Sequence, residues 1–205
     1  MGRWEPNARG RLEKAALELY GERGFEQTTV AEIAKRAGLT ERTFFRHFAD
    51  KREVLFGGSV HLEDLVVRTV IEASDPTAPI DAVAAALEAG GAVLIHERAR
   101  KRHAVIVTNA ELRERELIKL ASLASALADA LRRRGVADLA AQLTAEAGIA
   151  AFKVAFEHWV SDTEEKDLSH LIRESFDELK AVTAGNSHSM SMTPPHRSPE
   201  GSPRR

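Results

Sequence analysis

The stretch that most constrains the fold lies between residues 28 and 55, TTVAEIAKRAGLTERTFFRHFADKREVL. Helix starts and stops are written close together here. Thr29 and Glu32 are spaced as a T-x-x-E capping box, in which a hydroxyl and a carboxylate satisfy the first free amides of a helix. Val30, Ile33, Ala34 and Ala37 follow at helical spacing. Gly38 is the residue type that ends a helix in the left-handed conformation, and Thr40 offers a second N-cap two residues later. Two short helices around a Gly38-Leu39 turn have the plan of a helix-turn-helix.

The residues upstream supply the helix such a unit packs against. Leu12, Ala15, Ala16, Leu19 and Tyr20 share one helical face. Asn7 is placed to cap its start. Gly24 ends it, and Phe25 gives the apolar contact that often follows a glycine cap. Residues 7–48 therefore read as a three-helix module, whose last helix, 40–48, is the one that enters a major groove in proteins of this plan.

That last helix, TERTFFRHF, holds three of the chain's eight phenylalanines together with two arginines and a histidine. At about 100° per residue, Phe44 and Phe48 share one edge and Arg42 and Arg46 lie nearly opposite. Thr43 and His47 flank the arginines on one side and Phe45 on the other. Phe44 and Phe48, with Leu39, should anchor the helix to the first two. Arg42 and Arg46 suit guanine edges or phosphates. Thr43 and His47 offer short donors, although His47 could equally close the packing edge, and Phe45 is left beside the arginines. The helix starts at Thr29, Thr40 and Lys51 direct free amides outward, which suits phosphate oxygens, and Lys51 and Arg52 add charge.

Charge is distributed to match. The chain carries a net −2, but residues 1–51 hold ten Lys and Arg against eight Asp and Glu, while the remainder holds nineteen against twenty-three. The N-terminal part is the anion-facing end. There is no cysteine among the 205 residues, which removes disulfides and thiolate metal sites. The start of the chain is polar, and no segment approaches the roughly 20 apolar residues of a membrane span. The expectation is a cytoplasmic protein with no metal, no cofactor and no membrane partner.

Beyond residue 50 helix signals continue and no strand pattern emerges, so the fold class is all-α. Asp50 and Glu53 form a second box and should open a helix from Lys51 towards Glu72. The turn-rich SDPTAPID, 74–81, follows. Further helices are expected at about 80–97, 98–105, 110–134, 137–161 and 166–183. Residues 185–205, rich in Ser and Pro, cannot bury enough surface to offset their ordering entropy and read as a disordered tail. The organisation expected is a helix-turn-helix domain over 1–51, a linking helix over about 51–72, a larger helical domain within 52–184, and the tail.

In the 137–161 helix two stripes are apolar. Ala145, Gly148, Ile149, Phe152, Phe156 and Trp159 make one; Ala147, Ala151, Val154 and His158 make the other. A helix apolar on two sides is packed on two sides, one against its own domain and one against a partner subunit. The final helix adds Leu168, Leu171, Ile172, Ser175, Phe176 and Leu179. A ligand pocket among the central helices would draw on His96, His103, Asn109, Phe152, Phe156 and Trp159, although an aromatic stripe at helical spacing also reads as plain core. The basic run ERARKRH, 97–103, reads as a solvated face, with an acidic ligand as the alternative occupant.

The 28–55 stretch resembles the DNA-binding signature of TetR-type transcriptional regulators. The resemblance runs through Thr29, Ile33-Ala34, Ala37-Gly38, Thr43, the aromatic pair Phe45 and Phe48, and Lys51 followed by Leu55. It implies a cytoplasmic homodimer, usually a repressor, released from a palindromic operator by a small molecule, with the last two helices of each subunit forming a four-helix bundle. It further implies that Thr29 and Lys51 contact phosphates and that Arg42, Thr43, Phe45, Arg46 and His47 face the groove. Two positions depart from the pattern. Phe45 stands where a tyrosine often donates to a phosphate, and Arg42 stands where a small residue is common. No G-x-S-x-G, phosphate-cradling glycine loop or H-E-x-x-H occurs, so the chain reads as a non-enzyme. The alternative is a helical ligand-binding or interaction protein with little sequence-specific DNA binding.

Overall fold

A computed structural model describes residues 7–162 and 167–185. Among them every regular element is helical: α1 (Ala8–Arg23), α2 (Val30–Arg36), α3 (Glu41–His47), a 3-10 turn (Glu53–Phe56), α4 (Ser59–Glu72), α5 (Pro79–Ala92), α6 (His96–Val107), α7 (Ala110–Arg133), α8 (Asp138–Ser161) and α9 (Leu168–Thr183).

The punctuation expected in the N-terminal part is present atom by atom. Thr29 accepts from the Glu32 amide while Glu32 accepts from the Thr29 amide, closing the box. Gly38, at φ 66°, lets the chain leave α2 in the left-handed region. The Leu39 amide then bonds back to the Ala34 carbonyl at 2.8 Å and the Gly38 amide to Lys35 at 3.0 Å, which satisfies carbonyls the helix leaves open. Thr40 caps α3 through the Thr43 amide. Leu12, Leu19, Tyr20, Phe25, Ile33, Phe44 and Phe48 meet in one buried cluster.

Several expected helices have different bounds in the structure. The helix expected from Lys51 towards Glu72 is two pieces. Asp50 does cap, accepting from the Arg52 and Glu53 amides, but it opens only the 3-10 turn, and α4 begins after Gly57-Gly58. Paired glycines are poor helix residues, and the turn instead buries Val54, Leu55 and Phe56 in the N-terminal cluster. The helix expected at 80–97 ends at Ala92, and His96 begins α6, which is bent 98° from α5. That bend lengthens the helix expected at 98–105 to His96–Val107. The final helix begins at Leu168 rather than 166, a residue that, like 163–165, lies outside the described ones, as do 186–205 of the expected tail.

The second cluster joins α4, α5, α7, α8 and α9. Its packing is close because small residues dominate the contacts: a Cβ on Gly148 of α8 would stand 2.5 Å from Val83 Cγ1 of α5. Although no membrane-length apolar segment was expected, among the described residues α8 is long and apolar enough by length and composition to cross a bilayer, as the core helix of a soluble protein can also be. Its buried residues Ala145, Gly148, Ile149, Ala155 and Trp159 face this cluster. The two clusters are joined by α6 and α7, whose Val105, Ile106 and Leu112 pack into the N-terminal one.

Candidate functional site

Helix α3 is held as its faces dictate. Phe44 is fully buried, in contact with Phe48 at a ring distance of 5.5 Å, and Phe45 is 55% exposed, its ring edge-on to Phe44. Arg42 and Arg46 are exposed, and no described residue forms a hydrogen bond or ion pair with either guanidinium. Thr43 is half-buried, its hydroxyl 3.1 Å from that of Thr40. An unpaired pair of guanidinium groups one turn apart, beside an exposed ring, is a surface able to bind phosphates and base edges.

His47 sits differently from the arginines. It is half-buried, its Nε2 is enclosed without a hydrogen-bond partner, and its ring lies near Phe48. Burial, aided by the positive charges of Arg46 and Arg9, holds the imidazole below its ordinary pKa. The neutral form is therefore favoured in the free protein. The ring borders a cleft of about 180 Å³ shared with Arg9, Glu53, Arg115 and Lys119.

Two residues expected on phosphates are engaged inside the protein. The Lys51 ammonium donates to the carbonyls of Phe25 (2.9 Å), Thr28 (3.2 Å) and Glu26 (3.4 Å) and lies 4.3 Å from the Phe25 ring centre. These contacts engage the ammonium within the N-terminal unit. The Tyr20 hydroxyl in turn donates to the Lys51 carbonyl at 2.6 Å, and burial pushes its phenol pKa up. Lys51 thus closes the 25–28 loop onto the start of the 3-10 turn. Thr29 gives both its amide and its hydroxyl to Glu32. Those bonds hold the Glu32 carboxyl below its usual range, so a negative charge stands at the very helix start that was expected to receive one.

The residues proposed for a ligand separate into a group and an outlier. His96 Nε2 is 3.0 Å from the Trp159 carbonyl, with the rings 4.9 Å apart. Phe156 contacts Trp159, Phe152 and His103 at ring distances of 5.9, 6.0 and 5.9 Å. These five form one aromatic patch between α6 and α8, and His103 Nδ1 is buried there without a partner. Asn109 is not part of it. It caps α7 through the Leu112 amide and donates to Glu26 of the N-terminal unit at 2.9 Å, because a side chain at a helix start is directed along the helix rather than across it.

Sequence reasoning passed over Arg102. It lay in a run read as a solvated face, yet its Nε donates to the Leu55 carbonyl at 2.9 Å and its guanidinium pairs with Glu116 at 3.0 Å. A signal was present: Arg102 shares helical spacing with the buried Ala99, Val105 and Ile106.

Comparison with known proteins agrees with this geometry. Residues 12–56 match the model of the bacterial regulatory proteins of the tetR family, and residues 77–184 match that of the MftR C-terminal domain. A protein of Mycobacterium tuberculosis named as mycofactocin biosynthesis transcriptional regulator MftR is 30% identical over 188 residues, 88% of this chain and 93% of that one. The HTH-type regulator TcmR of Streptomyces glaucescens is 52% identical over 46 residues, covering 22% of this chain and 20% of its own. SmeT of Stenotrophomonas maltophilia, repressor of a multidrug efflux pump, shares the fold in its triclosan complex: TM-score 0.62, 22% identity, 85% of this chain and 90% of that one. The chain belongs to the TetR family of transcriptional regulators.

Proposed function

We propose that the protein is a homodimeric, cytoplasmic repressor that binds a palindromic operator through α3 and leaves it when a small molecule binds among the central helices. The observation that carries this reading is the uncommitted pair Arg42 and Arg46, exposed on a helix whose opposite edge is fixed by Phe44. Arg42, Phe45 and Arg46 read the groove. Thr43 and the start of α3 at Thr40 lie against the backbone, with His47 at the margin. Thr29 and Lys51 act chiefly by holding this unit in shape.

A second copy is supported by the apolar side chains that α8 and α9 leave exposed, Leu139, Leu143, Val154 and Val182. A dimer also answers a need of recognition, since one short helix reads few bases and two about 34–36 Å apart read successive major grooves. The patch of His96, His103, Phe152, Phe156 and Trp159 suits a largely apolar ligand, with the unpartnered His103 Nδ1 as a polar contact. Relatives of this fold have been solved with triclosan, in SmeT, and with stearoyl-CoA, in FadR of Bacillus subtilis (TM-score 0.56, 20% identity, 83% of this chain and 96% of that one). By linkage, such a ligand binds free protein more tightly than the DNA complex.

The test is selection of bound sites from a random DNA pool, followed by mobility shifts. Wild-type protein should enrich a two-fold symmetric site. Arg42→Ala and Arg46→Ala should each weaken it by about 1–3 kcal/mol and relax base preference at one position per half-site. Folded variants that bind with unchanged affinity and preference exclude this reading face.

A further inference from the structure

The DNA-reading unit and the helical body meet through contacts of two kinds. Val105, Ile106 and Leu112 are apolar, and apolar burial is non-directional. It holds two parts together without fixing their rotation. Directional contacts are needed for that. Arg52 with Glu111 is an exposed ion pair and contributes little; Arg98 with Glu13, Asn109 with Glu26, and Arg115 and Lys119 with Glu53 join one flexible side chain to another.

Arg102 is of another kind. Its side chain is only 25% exposed and touches two elements besides its own, the 3-10 turn and α7. From α6, Nε donates to the main-chain carbonyl of Leu55 at 2.9 Å. A terminal nitrogen pairs with Glu116 of α7 at 3.0 Å. The guanidinium lies 4.8 Å from the ring centre of Phe56. Leu55 and Phe56 are buried members of the N-terminal core, and Gly57-Gly58 follow immediately, where the chain leaves that core for α4. A planar guanidinium fixes its partners' directions as a lysine ammonium cannot.

We propose that Arg102 is a positioning residue for operator recognition, setting the angle of the DNA-reading unit against α6 and α7 and thereby the half-site spacing that the dimer accepts. This rests on the DNA-binding reading above. It places the link between ligand patch and recognition helix on α6, which carries both His103 and Arg102.

The experiment repeats the random-pool selection with wild-type protein, Arg102→Met and Arg102→Lys, alongside thermal unfolding. Wild type should enrich two half-sites at one separation. Arg102→Met, which keeps bulk without directional donors, should enrich the same half-site sequence over several separations, with affinity for the wild-type spacing down roughly tenfold to a hundredfold and isolated half-site affinity unchanged. Arg102→Lys should be intermediate, and it serves by the same criteria if Arg102→Met does not fold. A folded variant with the wild-type spacing distribution overturns the proposal. So does a loss of affinity equal at every spacing and at isolated half-sites, which marks a merely structural residue. Enrichment of no site by any of the proteins overturns the DNA-binding reading itself, and this inference with it.

Discussion

Residues 7–56 and the α8–α9 pair leave opposite kinds of surface bare, because they pack with different side chains. The N-terminal unit closes on large rings, Tyr20, Phe25, Phe44, Phe48 and Phe56, and leaves Arg42 and Arg46 without partners among the described residues. In the α8–α9 pair, α8 buries mostly alanine and glycine, and α9 buries Leu168, Ile172 and Phe176. The pair leaves leucine and valine in solvent: Leu139 is 69% exposed and Leu143 61%. An unpaired cation asks for an anion; an exposed apolar row asks for another apolar row. On the proposed reading one surface meets nucleic acid and the other a second copy of the chain, and they lie at separate places.

That separation can be broken experimentally. The largest effect is expected from Phe44→Ala, which removes the fully buried ring behind the reading face. It should destabilise the N-terminal unit by about 3–5 kcal/mol and abolish DNA binding, while sedimentation still reports a dimer. Loss of the dimer as well would show that the two regions do not act independently. Leu143→Glu attacks the other surface. With about 1.5–3 kcal/mol at stake for each leucine buried, dimer dissociation should rise at least about tenfold, with helix content unchanged by circular dichroism. A Leu143→Glu protein that sediments as wild type would place the interface elsewhere. The smallest effect sharpens the account of Lys51. Lys51→Met should cost about 1–3 kcal/mol in urea unfolding and leave the salt dependence of DNA binding as it was. A slope reduced by about one per Lys51 removed would instead make it a phosphate contact.

The N-terminal unit was legible because its signals are local. Box, glycine and cap all lie between Thr29 and Thr40, and helical spacing separates Phe44 from Arg42 without knowledge of any other element. Legibility fell wherever a residue's partner is distant in sequence. Lys51 is a cation after a capping residue until the fold brings the carbonyls of Phe25 and Thr28 to it. Asn109 is an amide near aromatic residues until α7 begins there and Glu26 stands opposite. The 51–72 helix looked continuous because Val54, Leu55 and Phe56 fit a helical period as well as they fit a turn buried in the N-terminal core.

The sequence by itself determined where helices start and stop around Gly38, which edge of α3 is buried, the all-helical class and the family. Each follows from short-range chemistry: backbone amides must be capped, and a helix sorts its side chains by angle. Only the tertiary structure decided which charged groups remain available to a partner. It retained Arg42 and Arg46 on the surface, drew Lys51 and Thr29 into internal bonds, and turned Arg102 from an apparent solvated residue into a bridge between α6, α7 and Leu55. Whether a cation is free depends on which acceptors the folded chain brings within about 3 Å, and that is a property of the packing rather than of the residue.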